Sequence, residues 1–399
     1  MQEDVIRAWW AHRQGLDGSL MGASAAPALA QTGWSRSVGG AGPYVALFAR
    51  TGLSREAIDA AVAALDIYEL PAARGCTYIV PSADFALALH AGQGFGDDAQ
   101  IVTAKKYCGV TDAEVEQLCH AVLAALTAGP LDPRALKDAL GDAVRNLGAE
   151  GKKRGTTTTL PLALGKLQSS GEIRRVSTNG RLDQQRYRYA RWDGSPSQQV
   201  QISKGEAYQE LARRYFRWIG PARMVHFQWF SGLSARDARE AIAPLGLVPL
   251  SSDDDRLIFP DDLEELSVFR VPTEPHYDLT GGLDNIAHLR REMLSLLPEA
   301  DRQRRVLGEQ GEQILGALSD MPDHPILDRG RLIGFWQYDP EAKAIVWATF
   351  DQHSVALSDV VARTEAFIRD ELGDMRSFSL DSPESRKPRI AALRQNAHH

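Results

Sequence analysis

The segment from residue 111 to residue 195 constrains the fold of this chain more than any other. Thr111 to Leu126 has acidic residues at its start and one apolar stripe, which predicts a helix. Asp132 before Pro133 predicts the start of a second helix, DPRALKDALGDAVRNL. A basic turn (KKRGTTTT), a third helix (LPLALGKLQSSGEI) and two strands joined through an Asn-Gly pair follow. This order predicts a winged helix-turn-helix, whose second helix enters the major groove of DNA.

The distribution of charge also favours a nucleic-acid partner. The whole chain is acidic, with a net charge of -7, but the stretch from Lys152 to Trp192 has ten Lys or Arg residues against two acids. Neutralisation of phosphates by Lys and Arg supplies most of the non-specific affinity for DNA. A solvated charged face is the alternative interpretation. The residues of this segment expected to contact double-stranded DNA are Lys152, Lys153, Arg154, Thr156, Thr157, Thr158, Lys166, Arg181, Arg186 and Arg188.

Length and composition predict several domains. A chain of 399 residues that is 44% hydrophobic is long enough for two to four of them. We expect an α+β fold, mainly α, with units at 1–110, 111–195, 200–275 and 276–399. In the first unit, which otherwise reads as helices up to residue 70, Ser54 is expected to start a helix and CTYIV to form a strand. A helix from Lys204 to Ile219 is expected before the third unit's repeat of the helix-turn-helix theme in GPARMVHFQWFSGLSARDAREAI. The fourth contains short strands in ILDRGRLIGFWQYDPEAKAIVWATF and is expected to form a small barrel-like β-rich domain, closed by a helix from Asp359 to Leu372 and followed by a mobile tail.

Three aromatic residues of the third unit leave two interpretations open. His226, Trp229 and Phe230 could stack on nucleic-acid bases or pack in the core, and core packing is the more common role.

Other classes of protein are disfavoured. The three cysteines, Cys76, Cys108 and Cys119, have no spacing typical of a zinc site or a disulfide framework. No apolar run is long enough to span a membrane, and the first residues lack the pattern of a signal peptide. We therefore expect a cytoplasmic, nucleoid-associated monomer that binds no metal or cofactor and no membrane.

Several motifs together resemble a known family. They are HRQGL, PYVALFAR, IGPARMVHFQWFSGLSARDAREAI, LLPEAD and ILDRGRLIGFW, in this order along most of the chain. The combination resembles the AlkZ/YcaQ-like winged-helix DNA glycosylases. The resemblance implies tandem winged-helix units, a C-terminal β-rich domain and a concave, basic DNA channel. It also implies hydrolysis of the N-glycosidic bond of bulky alkylated purines, or unhooking of interstrand crosslinks.

The catalytic motif of that family is missing here. The family has glutamine-x-glutamine or glutamine-x-aspartate shortly before the proline-tyrosine that corresponds to Pro43-Tyr44. This chain reads TGWSRSVGGAG there, and alignment puts Ser37 and Gly39 at the two positions. The remaining catalytic candidates are Ser37, Ser35 and Gln31, although Gln31 lies further upstream than the pattern requires. Arg36 would repel a cationic base and suits a DNA phosphate better.

Two functions of different classes follow from these observations. A divergent DNA glycosylase remains chemically reasonable, because N-alkylated purines already carry a positive charge and leave without a general acid. A catalytically inactive DNA-binding protein, either a transcription regulator or a lesion-binding factor, explains the missing motif equally well. An enzyme of unrelated chemistry on the same scaffold is a third alternative.

Overall fold

The computed structural model describes residues 2–95, 97–183, 186–200, 202–308, 311–351, 354–378 and 380–396. The fold belongs to the α+β class, as predicted, with helices along the whole chain and the largest sheet near the C-terminus. Within these residues, every helix is too short or too polar to cross a membrane.

The N-terminal region packs helices around a small antiparallel sheet. Its elements are α1 (Glu3–Arg13), α2 (Ala25–Thr32), β1 (Ser35–Arg36), α3 (Gly42–Thr51), α4 (Arg55–Ala63), β2 (Ile67–Pro71), β3 (Thr77–Pro81), α5 (Phe85–Gly92) and α6 (Asp97–Cys108). The Ser54 hydroxyl accepts a hydrogen bond of 3.2 Å from the Ala57 N–H, which confirms the predicted start of α4. The central strand β3 pairs with both β2 and β1. The two-residue β1 is therefore an edge strand.

The next region has the predicted order of helices followed by a hairpin. Its elements are α7 (Asp112–Ala125), α8 (Pro133–Leu140), α9 (Gly148–Lys153), α10 (Leu160–Ser169), β4 (Ile173–Ser177) and β5 (Tyr187–Arg191). Leu131 and Tyr189 exchange backbone hydrogen bonds of 3.0 and 2.7 Å, an isolated β-bridge that ties the loop before α8 to the β4–β5 hairpin. This region has its own apolar core, which includes Leu118, Val122, Leu136, Leu164 and Leu167.

The predicted length of α8 is wrong. The carboxylate of Asp132 accepts hydrogen bonds from the N–H groups of Arg134 and Ala135, as the N-cap prediction requires. The helix nevertheless ends at Leu140 instead of continuing to Leu147. Gly141 follows with φ +50°, a conformation that glycine adopts readily and that breaks the helix. The expected basic turn is consequently replaced in part by α9, which contains Lys152 and Lys153.

A third region has a longer amphipathic helix followed by two shorter helices and a hairpin. It consists of α11 (Pro196–Gln199), α12 (Lys204–Ile219), α13 (Met224–Ser231), α14 (Ala235–Ile242), β6 (Val248–Ser251), β7 (Asp254–Ile258) and α15 (Pro260–Val268). Ser203 and Glu206 form a capping box at the start of α12. The apolar face of α12, which includes Leu211, Tyr215 and Trp218, is buried in the largest core of the molecule.

The C-terminal region is built on a four-stranded antiparallel sheet. The elements are β8 (Tyr277–Leu279), α16 (Asn285–His288), β9 (Arg305–Gly308), β10 (Gly311–Ile314), β11 (His324–Asp328), β12 (Arg331–Asp339), β13 (Ala344–Thr349), α17 (Val355–Phe367) and α18 (Pro383–Asn396). In the sheet, β12 and β11 are central, and β13 and β8 are the edges, so the described strands form an open sheet and not a closed barrel. α17 begins four residues before the predicted Asp359 and continues as a π-helical turn, Ile368–Leu372.

The prediction of a mobile tail is also wrong. Residues 383–396 form α18, which packs on β12 and β13. The Arg386 side chain is fully buried, and it makes an ion pair of 2.9 Å with Asp374. Ile390 and Leu393 are buried on the same helix. These buried side chains and an ion pair between Arg394 and Asp339 of β12 hold the helix against the sheet.

A buried ion pair joins the N-terminal and C-terminal regions. The Arg50 guanidinium on α3 donates two hydrogen bonds of 2.7 Å to the Asp284 carboxylate, just before α16. The two side chains are 3% and 1% exposed. The Gln14 amide oxygen accepts a further hydrogen bond of 3.2 Å from Arg50.

Candidate catalytic and nucleic-acid-binding site

The edge strand β1 and the residue after it, Ser37, hold two of the catalytic candidates and Arg36; Ser37 aligns with the first position of the missing motif. Side chains alternate along a strand, which puts Ser35 and Ser37 on one face of the sheet and Arg36 on the other. Their contacts agree with this alternation. The Ser37 hydroxyl reaches β2, whereas the Arg36 guanidinium lies over the Tyr78 ring, 5.3 Å from its centre. Both serines are buried, and their neighbour Arg36 is half-buried.

A carboxylate that the sequence analysis missed completes this site. The Ser37 hydroxyl donates a hydrogen bond of 2.7 Å to Oε1 of Glu69, which lies on β2. Ser35 and Glu69 pair with Ile79 of β3 from opposite sides, so the hydrogen bond between Ser37 and Glu69 reaches across β3. Glu69 is half-buried. A serine hydroxyl and a carboxylate in contact can orient a water molecule and accept its proton.

The other family position cannot easily accept a side chain. Gly39 has φ +77°, in the left-handed region where any residue with a Cβ is strained. The following Gly40 lies so close to the Arg376 carbonyl that an added Cβ would be 2.3 Å from its oxygen. The loop before α3 is thus shaped for glycines, and a glutamine or aspartate at position 39 would strain its backbone.

A cavity of about 20 Å³ lies beside Ser35 and Arg36. A volume of that size has room for about one water molecule. His324 and Asp284 are also among the residues that line it. The His324 ring is buried, and its Nδ1 accepts a hydrogen bond of 3.0 Å from the Gly282 N–H. Burial, together with Arg389 and Arg386, lowers the pKa of His324 to about 3, so the imidazole is neutral near pH 7.

The other residues that the sequence nominated for catalysis or DNA binding differ in exposure and in ion pairing. Gln31 is exposed on α2. Three of the cations expected to contact DNA are paired with acids: Lys166 with Glu116, Arg154 with Glu150, and Arg181 with Asp183. Glu116 and Glu150 lie outside the basic stretch that was counted in the sequence, so the local positive charge is smaller than that count. Four nominated cations are exposed and have no acid within 4 Å among the described residues: Lys152, Lys153, Arg186 and Arg188.

The helix expected to enter the major groove is mostly buried. Six residues of α10 are buried, including Leu160, Leu164 and Leu167, and the helix packs against α6 and α7. The turn before it is more accessible, with Thr157 exposed and Thr156 and Thr158 half-buried. If this region contacts a groove of DNA, the accessible parts are the turn before α10 and the β4–β5 hairpin.

Comparison with known proteins shows to which family the chain belongs. A model of the family described as "DNA glycosylase AlkZ-like" matches residues 29–378. The chain belongs to the AlkZ-like DNA glycosylase family. Among solved structures, the Streptomyces sahachiroi DNA glycosylase AlkZ is similar, with a TM-score of 0.68 and 18% sequence identity over 95% of this chain and 98% of that one. At this identity the likeness shows the fold. No curated protein sequence matched the chain.

Two exposed arginines near the hairpin give the first testable prediction for this AlkZ-like protein. We expect the double variant Arg186→Ala, Arg188→Ala to bind duplex DNA more weakly and with a flatter salt dependence. The slope of log affinity against log salt should fall by about two units, one for each lost phosphate contact. Fluorescence anisotropy over a series of KCl concentrations measures this slope.

Lys166→Ala is the matched control for that experiment. Its ammonium group is already paired with Glu116, so its removal should change the slope by less than about half a unit. An unchanged slope in the double arginine variant would exclude the hairpin from the DNA interface.

Proposed function

We propose that the protein is a monofunctional DNA glycosylase that hydrolyses the N-glycosidic bond of N-alkylated purines in duplex DNA. The hydrogen bond between Ser37 and Glu69 carries this proposal. It gives the site of the missing glutamine motif a hydroxyl and a carboxylate in direct contact. Membership of the AlkZ-like family supports DNA repair as the setting of that chemistry.

The proposed reaction uses these two groups on one water molecule. Ser37 Oγ donates a hydrogen bond to Oε1 of Glu69 and keeps its proton, so its lone pairs face the water as acceptors. The water oxygen attacks C1′ of the deoxyribose while the bond from C1′ to the purine nitrogen breaks. In the transition state the negative charge of Glu69 stabilises the cationic sugar, and Glu69 then accepts the proton that the attacking water releases. The alkylated purine begins as a cation and leaves as a neutral base, so it requires no general acid.

Residues 111–195 are proposed as the winged-helix unit that binds the duplex. The hairpin cations Arg186 and Arg188 would contact phosphates, and Thr156, Thr157 and Thr158 would donate hydrogen bonds beside the N-terminus of α10. The unit at 200–275 is proposed as a second winged helix on the same grounds, since α13, α14 and the β6–β7 hairpin follow α12 in the matching order.

The proposal is tested by release of free base. The purified protein is incubated with duplexes that contain N7-alkylguanine, N3-alkyladenine or an interstrand crosslink, and the released bases are measured by chromatography and mass spectrometry. We expect release of at least one alkylated purine above the spontaneous rate. Retention of these duplexes with no release from any of them would contradict the proposal.

A DNA-binding protein without catalysis is the second candidate. The size of the cavity beside Ser35 favours it, because about 20 Å³ cannot hold an extruded purine. Under this alternative, damaged duplexes are retained, and no strand cleavage appears after hot alkali treatment.

A further inference from the structure

A group of arginines surrounds Trp229 on the side of the molecule that Arg36 faces. The Arg74 guanidinium lies 4.1 Å from the centre of the Trp229 ring, and the Arg291 guanidinium lies 5.6 Å from it. Arg36 lies over the neighbouring Tyr78 ring, 5.3 Å from its centre, and both Arg36 and Arg74 act electrostatically on Tyr78 and on His288. We name Arg36, Arg74, Arg291, Trp229 and His288 the arginine cluster.

The backbone at two of these arginines is strained. Arg74 has φ +63° and Arg291 has φ +48°, and only five described residues other than glycine have positive φ. Such conformations are unfavourable for residues with a Cβ and concentrate at binding and catalytic sites. Gly232 at the end of α13 makes room for the Arg74 stem, because a Cβ there would be 2.7 Å from Arg74 Cγ.

The Trp229 ring positions Arg74 but does not neutralise its charge. A carboxylate partner occupies the N–H donors of an arginine, whereas an indole ring positions the guanidinium by its face and leaves the donors free. In the described part of the chain neither Arg36 nor Arg74 makes an ion pair with a carboxylate; Arg36 donates one hydrogen bond of 3.1 Å to the Thr77 carbonyl, and Arg74 donates one of 3.9 Å to Cys76 Sγ, so each keeps further N–H donors. Arg291 is paired with Asp320 through hydrogen bonds of 2.9 and 2.7 Å, and both side chains are exposed. The cluster therefore has more cations than acids.

A polar atom without a partner faces the same group. The His288 ring packs edge-on against Trp229, with 5.0 Å between ring centres. Its Nε2 is buried and makes no hydrogen bond to any described residue. Burial, and then Arg36 and Arg74, lower the pKa of His288 to about 4, so the ring is neutral near pH 7. A neutral imidazole can donate one N–H to an anionic oxygen.

We propose that the arginine cluster binds a phosphodiester group of the DNA backbone, as an anchoring site separate from the β4–β5 hairpin. Arg74 and Arg36 would donate to the phosphate oxygens, and Arg291 would exchange Asp320 for the phosphate. The edge position of β1 favours DNA as the ligand. Because β1 has a strand partner on one side only among the described residues, a nucleic-acid strand along this edge would lie beside the half-buried Arg36. The inference rests on the duplex binding proposed above.

The test distinguishes the contribution of the positive charge of Arg74 from that of its position on the Trp229 ring. Binding of an undamaged fluorescent duplex is measured over a series of KCl concentrations for Arg74→Gln and Arg74→Lys. Arg74→Gln should weaken binding about eightfold at 0.1 M salt and flatten the log–log slope by about 0.9, the contribution of one phosphate contact. Arg74→Lys keeps the charge and should keep the slope. Trp229→Phe, which weakens the aromatic platform, should lower the affinity with an unchanged slope.

Arg369→Gln is the matched control, since Arg369 is exposed and already paired with Asp370 and Glu365. It should bind as the wild type does. Equal affinity and slope for Arg74→Gln and Arg369→Gln would overturn the proposed phosphate site, even if base release is observed. A selective loss in Arg74→Gln supports the site even if the protein releases no base. A loss of inorganic phosphate binding with unchanged duplex binding would assign the cluster to a free anion and contradict the proposal.

Discussion

Replacing Glu69 with glutamine is expected to lower the single-turnover rate of base release by about 100- to 1,000-fold. The variant Glu69→Gln keeps the size of the side chain and can still contact Ser37, but it can neither accept a proton nor stabilise a cationic sugar. Duplex affinity should therefore remain at the wild-type level. The rate is measured with the protein in excess over a duplex that contains one N7-methylguanine, and binding is measured on the same duplex.

Two further variants sharpen this experiment. Ser37→Ala removes the hydroxyl but leaves the carboxylate, so its rate should fall by about tenfold, less than that of Glu69→Gln. Glu56→Gln neutralises an exposed acid on α4 and should react at the wild-type rate. A Glu69→Gln rate within about twofold of wild type would remove Glu69 from the mechanism.

The variant Asp284→Ala is expected to have the largest effect on stability. It leaves the Arg50 guanidinium buried without its carboxylate, and breaking a buried ion pair in this way costs about 3–5 kcal/mol. Asp284 also accepts a hydrogen bond of 3.1 Å from the Ile286 N–H at the start of α16, which the variant loses. The free energy of unfolding is measured by urea denaturation followed by circular dichroism.

An exposed ion pair supplies the comparison. Arg236 and Glu240 lie on α14 with side chains that are 82% and 62% exposed. Arg236→Gln should change the free energy of unfolding by less than about 0.5 kcal/mol, because solvent screens such pairs. If Asp284→Ala were no more destabilising than Arg236→Gln, the buried pair would not be what holds α3 to the C-terminal region.

Periodic segments were the part of the fold that the sequence predicted well. α12 has the predicted bounds, Lys204 to Ile219, because a capping serine and an apolar stripe both mark it. The strand CTYIV is β3 to within one residue. The strands β1 and β2 were missed, since β1 has only two residues and forms only by pairing with β3. The tail was missed because the residues that bury α18 are few and separated by polar ones.

The candidate site was harder to predict, since its geometry depends on contacts between distant residues. Ser37 and Arg36 were recognised through their place before Pro43-Tyr44, but Glu69 lies 32 residues from Ser37 and reaches it only through the sheet. The alternation of IYELP as a strand was the one signal that could have drawn attention to Glu69. Likewise, the acids that pair with Lys166 and Arg154 lie outside the basic stretch, so counting charge within that stretch overestimated its free cations.

The release of N7-methylguanine from a duplex saturated with the wild-type protein tests the central claim most directly. Saturation is established by anisotropy in the same samples, so that a missing signal cannot come from missing binding. We predict that free base accumulates faster than in the protein-free duplex and that Glu69→Gln reduces the excess by at least about 100-fold. A saturated wild-type complex that loses its base only at the spontaneous rate would contradict the account.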